Sequence, residues 1–255
     1  MEDSSEAEAR SNVPHDEAFK KLLQTFFAEF IELFFPELDR LLDHRHSKLL
    51  MQELLVDIVG GERRTLDLLL ETRYRELDAF ILVHLETQSH RDEDFHERMF
   101  IYFCRLYERY RKRHELIIPI VIFTGGAGRE ERDTLTMAIA GHDILQFRFL
   151  KVELRKLEWR RFIDSDNPVA AALLAKMGYN RKEKRDVRAA FLRMVMRLRT
   201  TMDAARMELV LSVANLYFEP DKDEDAAILR ELRENDPEGG NAIMEFMSEW
   251  RREGY

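Results

Sequence analysis

Arg64 to Ser89 reads RTLDLLLETRYRELDAFILVHLETQS. Two apolar runs flank a short polar turn, which predicts strands over Thr65–Thr72 and Ala79–Gln88. The first run carries Asp67 in otherwise apolar company, and the second ends in Glu86-Thr87-Gln88. Side chains alternate along a strand, so Ile81, Val83 and Leu85 fall on one face. Phe80, Leu82, His84, Glu86 and Gln88 fall on the other. An acid inside an apolar strand is costly unless a cation, a hydrogen-bond donor or a metal compensates it.

N-terminal to this stretch, Asp16 opens a helix as an N-cap or first-turn acid. Phe19, Leu22, Leu23, Phe26, Phe27, Phe30, Ile31 and Phe34 follow at helical spacing, an apolar face expected to lie against a sheet. Pro36 ends or resets that helix. Leu50–Val59 is a further strand candidate, closed by Gly60-Gly61. C-terminal to the stretch, Asp92–His114 is an amphipathic helix whose expected buried stripe is Met99, Phe100, Phe103, Leu106, Tyr107 and Tyr110. Leu116–Thr124 (LIIPIVIFT) is a buried-strand pattern, with Pro119 pointing to an edge or a bulge. The glycines of Gly125–Gly128 read as a plain turn, since no Lys-Ser/Thr follows as in a phosphate loop. Residues 129–165 are mixed, with a strand expected within Ile144–Leu154. Asn167-Pro168 starts a helix well. From Glu183 onward the pattern is helical, over Val187–Arg199, Ala204–Tyr217, Glu224–Arg233 and Ala242–Arg251.

The order is helix, three strands, helix, strand, then a helical C-terminal region. It predicts an α/β (α+β) core, a mixed sheet flanked by helices. The expected divisions are a disordered acidic segment 1–13, a sheet-containing domain 14–165 and a helical region 166–255. The 255 residues suffice for such a domain with an appendage. One cysteine, Cys104, excludes an internal disulfide framework and fits a reducing compartment; its apolar surroundings make it a small core residue rather than a nucleophile. With no signal-like segment and no apolar run near the ~20 residues that span a bilayer, the expectation is a cytoplasmic protein without membrane partners. Net charge is −9, which argues against nucleic acid, but acid gathers at Glu2–Glu8 and Glu219–Glu238. Base gathers at Arg98–Arg113, Arg148–Arg161 and Arg181–Arg199, a distribution compatible with phosphate binding and equally with solvated helix faces.

Two carboxylates on adjacent strands can share one divalent ion. Mg²⁺ takes oxygen ligands and keeps several waters; the backbone carbonyl of Thr87 is a third candidate ligand beside Asp67 and Glu86. Such an ion polarises a phosphodiester and activates water. Gln88 can hydrogen-bond that water or a phosphate oxygen. The bland alternative is acids that are exposed or paired with arginines such as Arg64 and Arg73. His84 is a proton-shuttle candidate or a packed strand histidine. Arg98 and Tyr102, one turn apart on the following helix, can reach a phosphate, or Arg98 can pair with Glu86.

These residues resemble a known pattern. Leu66-Asp67 and Glu86-Thr87-Gln88, in a helix–three strands–helix–strand order, are similar to the Pro-Asp and (D/E)-x-K elements of the PD-(D/E)XK nucleases, the restriction-endonuclease-like α-β-β-β-α-β core. With His15-Asp16, Phe19-Lys20, Phe30–Pro36, FHERMFIY (Phe95–Tyr102) and NPVAAALLAKM (Asn167–Met177), the chain resembles the bacterial recombination-promoting nuclease (Rpn) and putative transposase family over roughly residues 14–220. The resemblance implies a metal-dependent DNA endonuclease linked to recombination and mobile elements. Asp67 and Glu86 would bind Mg²⁺, with Mn²⁺ as a substitute, and Gln88 would stand where the general pattern has lysine. Asp16 would approach the same site, or simply cap its helix. The neutral Gln88 cannot supply a full positive charge, so a nuclease-fold protein that binds DNA or protein without turnover is the alternative. A homodimer, formed through the helical C-terminal region, would bring together the two sites that paired-strand cleavage needs.

Overall fold

The computed structural model describes residues 17–50, 67–75, 77–86, 94–114, 116–125, 130–218, 222–235 and 241. The expected disordered segment, most of the Leu50–Val59 strand, most of the glycine-rich turn 125–128 and the helix at Ala242–Arg251 lie outside these residues. The chain divides into two compact units, residues 34–154 and residues 1–33 with 155–255. The sequence expectation instead placed 14–165 in one domain.

The strands are β1 (Lys48–Leu49), β2 (Asp67–Tyr74), β3 (Leu77–Glu86), β4 (Leu116–Phe123), β5 (Thr134–Ile139), β6 (His142–Arg148) and β7 (Leu150–Glu153). All belong to the first unit, where five of them form a mixed sheet in the order β1-β2-β3-β4-β7. β1–β2 and β2–β3 are antiparallel, whereas β3–β4 and β4–β7 are parallel. β2 and β3 form the expected hairpin, with Tyr74 opposite Leu77 and Arg75 at φ +55° in the turn. A parallel neighbour needs a crossover. Between β3 and β4 that crossover contains the helix Phe95–Tyr110.

This crossover helix builds the core of the unit. Phe95, Met99, Tyr102 and Leu106 pack with Leu69 of β2, Ile117, Val121 and Phe123 of β4, and Leu135 and Phe147 of the β5–β6 hairpin. The opposite sheet face is also buried, at Leu68, Leu70, Ile81, Ile118, Ile120 and Ile122. Burial on both faces explains why β4 reads as a continuous apolar run. Pro119 therefore lies in an interior strand rather than at an edge or a bulge. β7 pairs only with Ile120–Phe123, so the half of β4 holding Pro119 has a ladder neighbour on one side alone. There a residue without an amide hydrogen can be seated without losing a ladder bond.

The buried stripe of the crossover helix is rotated from the expected one. Tyr102 is 3% exposed, and Tyr107 is 48% exposed and stacks on Phe103. Apolar residues occupy more than half of this helix's circumference, so periodicity alone leaves the edge of the stripe open. The β5–β6 hairpin was not anticipated as such. Its turn is Ala140-Gly141, with Gly141 at φ +76°. Met137, Ile139 and Ile144 are exposed, so its tip lacks the alternation that marks a half-buried strand.

The second unit begins with helical residues in 17–25 and with the helix Phe27–Phe34, whose last residue passes into the first unit. Phe19, Leu22, Leu23, Phe26, Phe30 and Ile31 are essentially fully buried. The phenylalanine face thus groups with the C-terminal helices rather than with a sheet: a helical period shows that a face is buried, not what covers it. Asn167 caps the helix Pro168–Leu173 by accepting from Val169 N at 2.9 Å, and its Nδ2 donates to the Glu29 carbonyl at 2.8 Å. Helices Lys184–Leu198, Ala204–Tyr217 and Lys222–Asn235 follow. Arg188 of the first grips Asp225 of the last through two hydrogen bonds of 2.7 and 2.8 Å. Its guanidinium also donates to Asn215 and lies over the rings of Phe191 and Phe218. Both charges are buried, at 5% and 3% exposure, so removing one strands the other. Asp225→Ala is expected to cost about 3–5 kcal/mol, measurable by chemical denaturation; a loss below about 1 kcal/mol would show that Arg188 finds another partner.

Candidate functional site

The site begins with strand register. Asp67, the first residue of β2, lies opposite His84 of β3, and His84 lies opposite Val121 of β4. Glu86, the last residue of β3, lies opposite Phe123. Directly paired residues share a sheet face, so these positions fall on the face that carries Leu69 and Val121, against the crossover helix. Both acid positions stand at the same end of the sheet. Asp67 and Glu86 are diagonal neighbours, a relation that sets Cβ atoms about 7–8 Å apart. Thr87, Gln88 and Asp16 lie outside the described residues.

The first turns of the crossover helix reach the same end. The Phe95 ring meets Phe123, the register partner of Glu86, edge-on at 5.4 Å, and meets Phe149 at 6.0 Å. Arg98 stacks its guanidinium 5.1 Å from the Phe95 ring centre. Arg98 therefore stands one aromatic ring away from Phe123. Tyr102, a turn further on, belongs to the buried core of the unit. Its place is with Met99 and Leu106 beneath the sheet face.

β7 adds two charged residues that sequence reading passed over. Lys151 lies opposite Val121, in the row of Asp67 and His84, and Glu153 lies opposite Phe123, in the row of Glu86. The Lys151 ammonium donates to the Glu131 carbonyl at 2.5 Å and to Glu130 at 3.2 Å, and lies 3.4 Å from Glu153. Glu153 accepts from Glu131 N at 3.0 Å. Burial works against the lysine charge, but Glu130, Glu153 and Asp133 outweigh it and hold the ammonium above its usual range. The signal was the Lys-Val-Glu alternation after Leu150, hidden because the Ile144–Leu154 run was read as one strand. Phe149 separates β6 from β7.

A second acid on the same face, Glu71, is fully neutralised. Glu71 accepts from His114 Nε2 at 2.7 Å, pairs with Lys48 at 2.5 Å and lies 3.7 Å from Arg113. His114 is buried. Arg73, the expected partner of a site acid, pairs with Asp78 across the hairpin instead. On the crossover helix, burial raises the Cys104 thiol above its usual range, which disfavours the reactive thiolate. Among the described residues no three His, Cys, Asp or Glu side chains cluster as metal ligands, and no helix is long and apolar enough to cross a membrane.

The family model described as "Putative transposase, YhgA-like" matches residues 13–207 of the chain. No curated protein and no solved structure matches it.

Glu71 gives the sheet a testable pH dependence. The Lys48 hydrogen bond, aided by His114, outweighs burial and lowers the Glu71 carboxyl from 4.5. Near that pH the unfolded chain then binds more protons than the native one, so this stability is present above about pH 4.5 and is lost as pH falls through the lowered native value. Thermal melts from pH 6 to pH 3 are expected to show a shallower acid loss in Glu71→Gln than in the parent chain. Parallel curves would contradict the assignment.

Proposed function

We propose that the chain, which belongs to the YhgA-like putative transposase family, is a metal-dependent DNA endonuclease serving a mobile element. Membership of the family points to a mobile-element role; cleavage and its metal dependence are our reading of the site. The observation that carries it is the register that sets Asp67 and Glu86 on one face at one end of the β2–β3 pair. A diagonal relation of this kind lets two carboxylates meet one ion, and a set of carboxylates with the Thr87 carbonyl is a hard oxygen donor set of the kind Mg²⁺ takes. The sequence of elements supports a PD-(D/E)XK core: helix, β1, β2, β3, crossover helix, β4.

When bound, the ion would polarise a phosphodiester and supply an activated water. Asp67 and Glu86 would hold it, with Mn²⁺ as a substitute. Gln88 would orient the attacking water or a phosphate oxygen by hydrogen bonding. His84, in register with Asp67, would keep that carboxylate oriented. Arg98, over Phe95, would offer positive charge to the DNA backbone, a task for which the buried Tyr102 is poorly placed. Asp16 would join the acids from the first helix.

A supercoiled-plasmid assay with Mg²⁺ or Mn²⁺ tests this. Nicking or linearisation is expected with either ion, is lost on chelation, and falls at least about 100-fold in Asp67→Ala and in Glu86→Ala. Gln88→Ala is expected to slow cleavage by about 10²-fold, the scale of one lost transition-state donor. Cleavage that survives both acid substitutions overturns the site. Salt-sensitive DNA binding without cleavage under any divalent ion replaces the enzyme with a binding protein.

A further inference from the structure

The helical unit holds a pair of cations that the proposed active site does not use. Lys176 ends the short 3₁₀ turn Leu174–Lys176, and Arg155 lies in the turn Leu154–Lys156. The two segments are pressed together at Gly178, whose amide donates to the Leu157 carbonyl at 2.7 Å. A Cβ at Gly178 would stand 2.5 Å from the Arg155 carbonyl oxygen, so this approach requires glycine. The Lys176 ammonium sits 4.5 Å from the ring centre of Tyr217, the last residue of its helix.

Among the described residues, neither Lys176 nor Arg155 meets a carboxylate. This is unusual within the same chain, which carries 49 acids against 40 bases. Arg188 has Asp225, Arg197 has Asp166, and Lys151 has Glu130 and Glu153. Lys176 is nonetheless partly buried, and burial, then the charge of Arg155, lowers its pKa from the usual lysine value. Two like charges drawn together, one of them desolvated, destabilise the fold unless an anion joins them. An aromatic face beneath the ammonium holds it without neutralising it. A lysine and a guanidinium with no internal acid make an acceptor for the oxygens of a phosphate group.

We propose that Lys176 and Arg155, with Tyr217 under the ammonium, form a binding site for one phosphate group. The site rests on the function proposed above only for the source of that phosphate, a nucleic-acid backbone as opposed to a free phosphate. Lys176→Met, Arg155→Met and the conservative Lys176→Arg would be compared with the parent full-length chain, without divalent metal. Calorimetric titration with inorganic phosphate is expected to show one bound anion, weakened at least tenfold in both methionine variants and retained in Lys176→Arg. Titration of a short DNA duplex across a salt series is expected to show the dependence of log K on log salt falling by about 0.9 in Lys176→Met, the effect of one lost phosphate contact. Phosphate binding lost in the variants with an unchanged DNA slope, or with no DNA binding by the parent, supports the site and assigns it to a free phosphate. No phosphate binding by the parent, or equal binding by Lys176→Met, overturns it whatever the DNA result. Melting without phosphate is a further check: relief of an unpaired charge leaves the melting temperature of Lys176→Met unchanged or raised, whereas a marked drop marks a structural lysine and overturns the site.

Discussion

The pairing of Asp67 with His84, and of His84 with Val121, is the constraint on which the proposed site depends. Strand side chains have a period of two, so a slip of one residue between β2 and β3 would carry Asp67 to the opposite face from Glu86. The register is pinned from several directions. The hairpin turn at Arg75 closes β2 onto β3, and the parallel ladder to β4 runs the length from Ala79 to Glu86. Leu69 is locked into the core beneath the crossover helix, and Leu68 and Leu70 are buried on the reverse face. With both faces apolar, no alternative register leaves the hydrophobic residues equally buried.

The crossover helix links that register to chemistry. Its first residue, Phe95, packs on Phe123 and Phe149 at the end of the sheet where the acids stand, and carries Arg98 above it. At the other end of the same face, Glu71 is held by His114 and Lys48. The two ends therefore treat acids differently. Glu71 is a structural acid with its cations built in. The helical unit repeats the contrast among its cations: Arg188 is satisfied inside the fold by Asp225, whereas Lys176 and Arg155 are drawn together without an acid among the described residues. Asp225 lies beyond the residues that the family model covers, so the partner that neutralises Arg188 comes from the C-terminal part of the chain.

The central elements were legible because their signals are local and strong. β2, β3 and β4 are long apolar runs, and the helix from Phe95 has a clear 3.6-residue period. The positions of Asp67 and Glu86 followed from alternation, and the observed register puts them on one face as alternation requires. What was not legible depends on partners far away in the chain. The phenylalanine face of the first helix shows its burial but not that it groups with helices far along the chain. Arg188 and Asp225 are unremarkable as sequence, and their bond exists only once the helices are packed. Tyr102 and Tyr107 exchanged roles because the apolar arc of their helix is wide. Lys151 and Glu153 were hidden by one missing break at Phe149, and the β5–β6 hairpin by the exposed apolar residues at its tip.

The central claim is that Asp67 and Glu86 jointly hold one divalent ion. Calorimetric titration of Mn²⁺ into the full chain, without DNA, tests it separately from catalysis. The account predicts one site in the parent chain and its loss or a large weakening in both Asp67→Asn and Glu86→Gln, with the fold of each variant verified by circular dichroism. Mn²⁺ binding of unchanged strength in either folded variant would contradict a shared ion at these two positions.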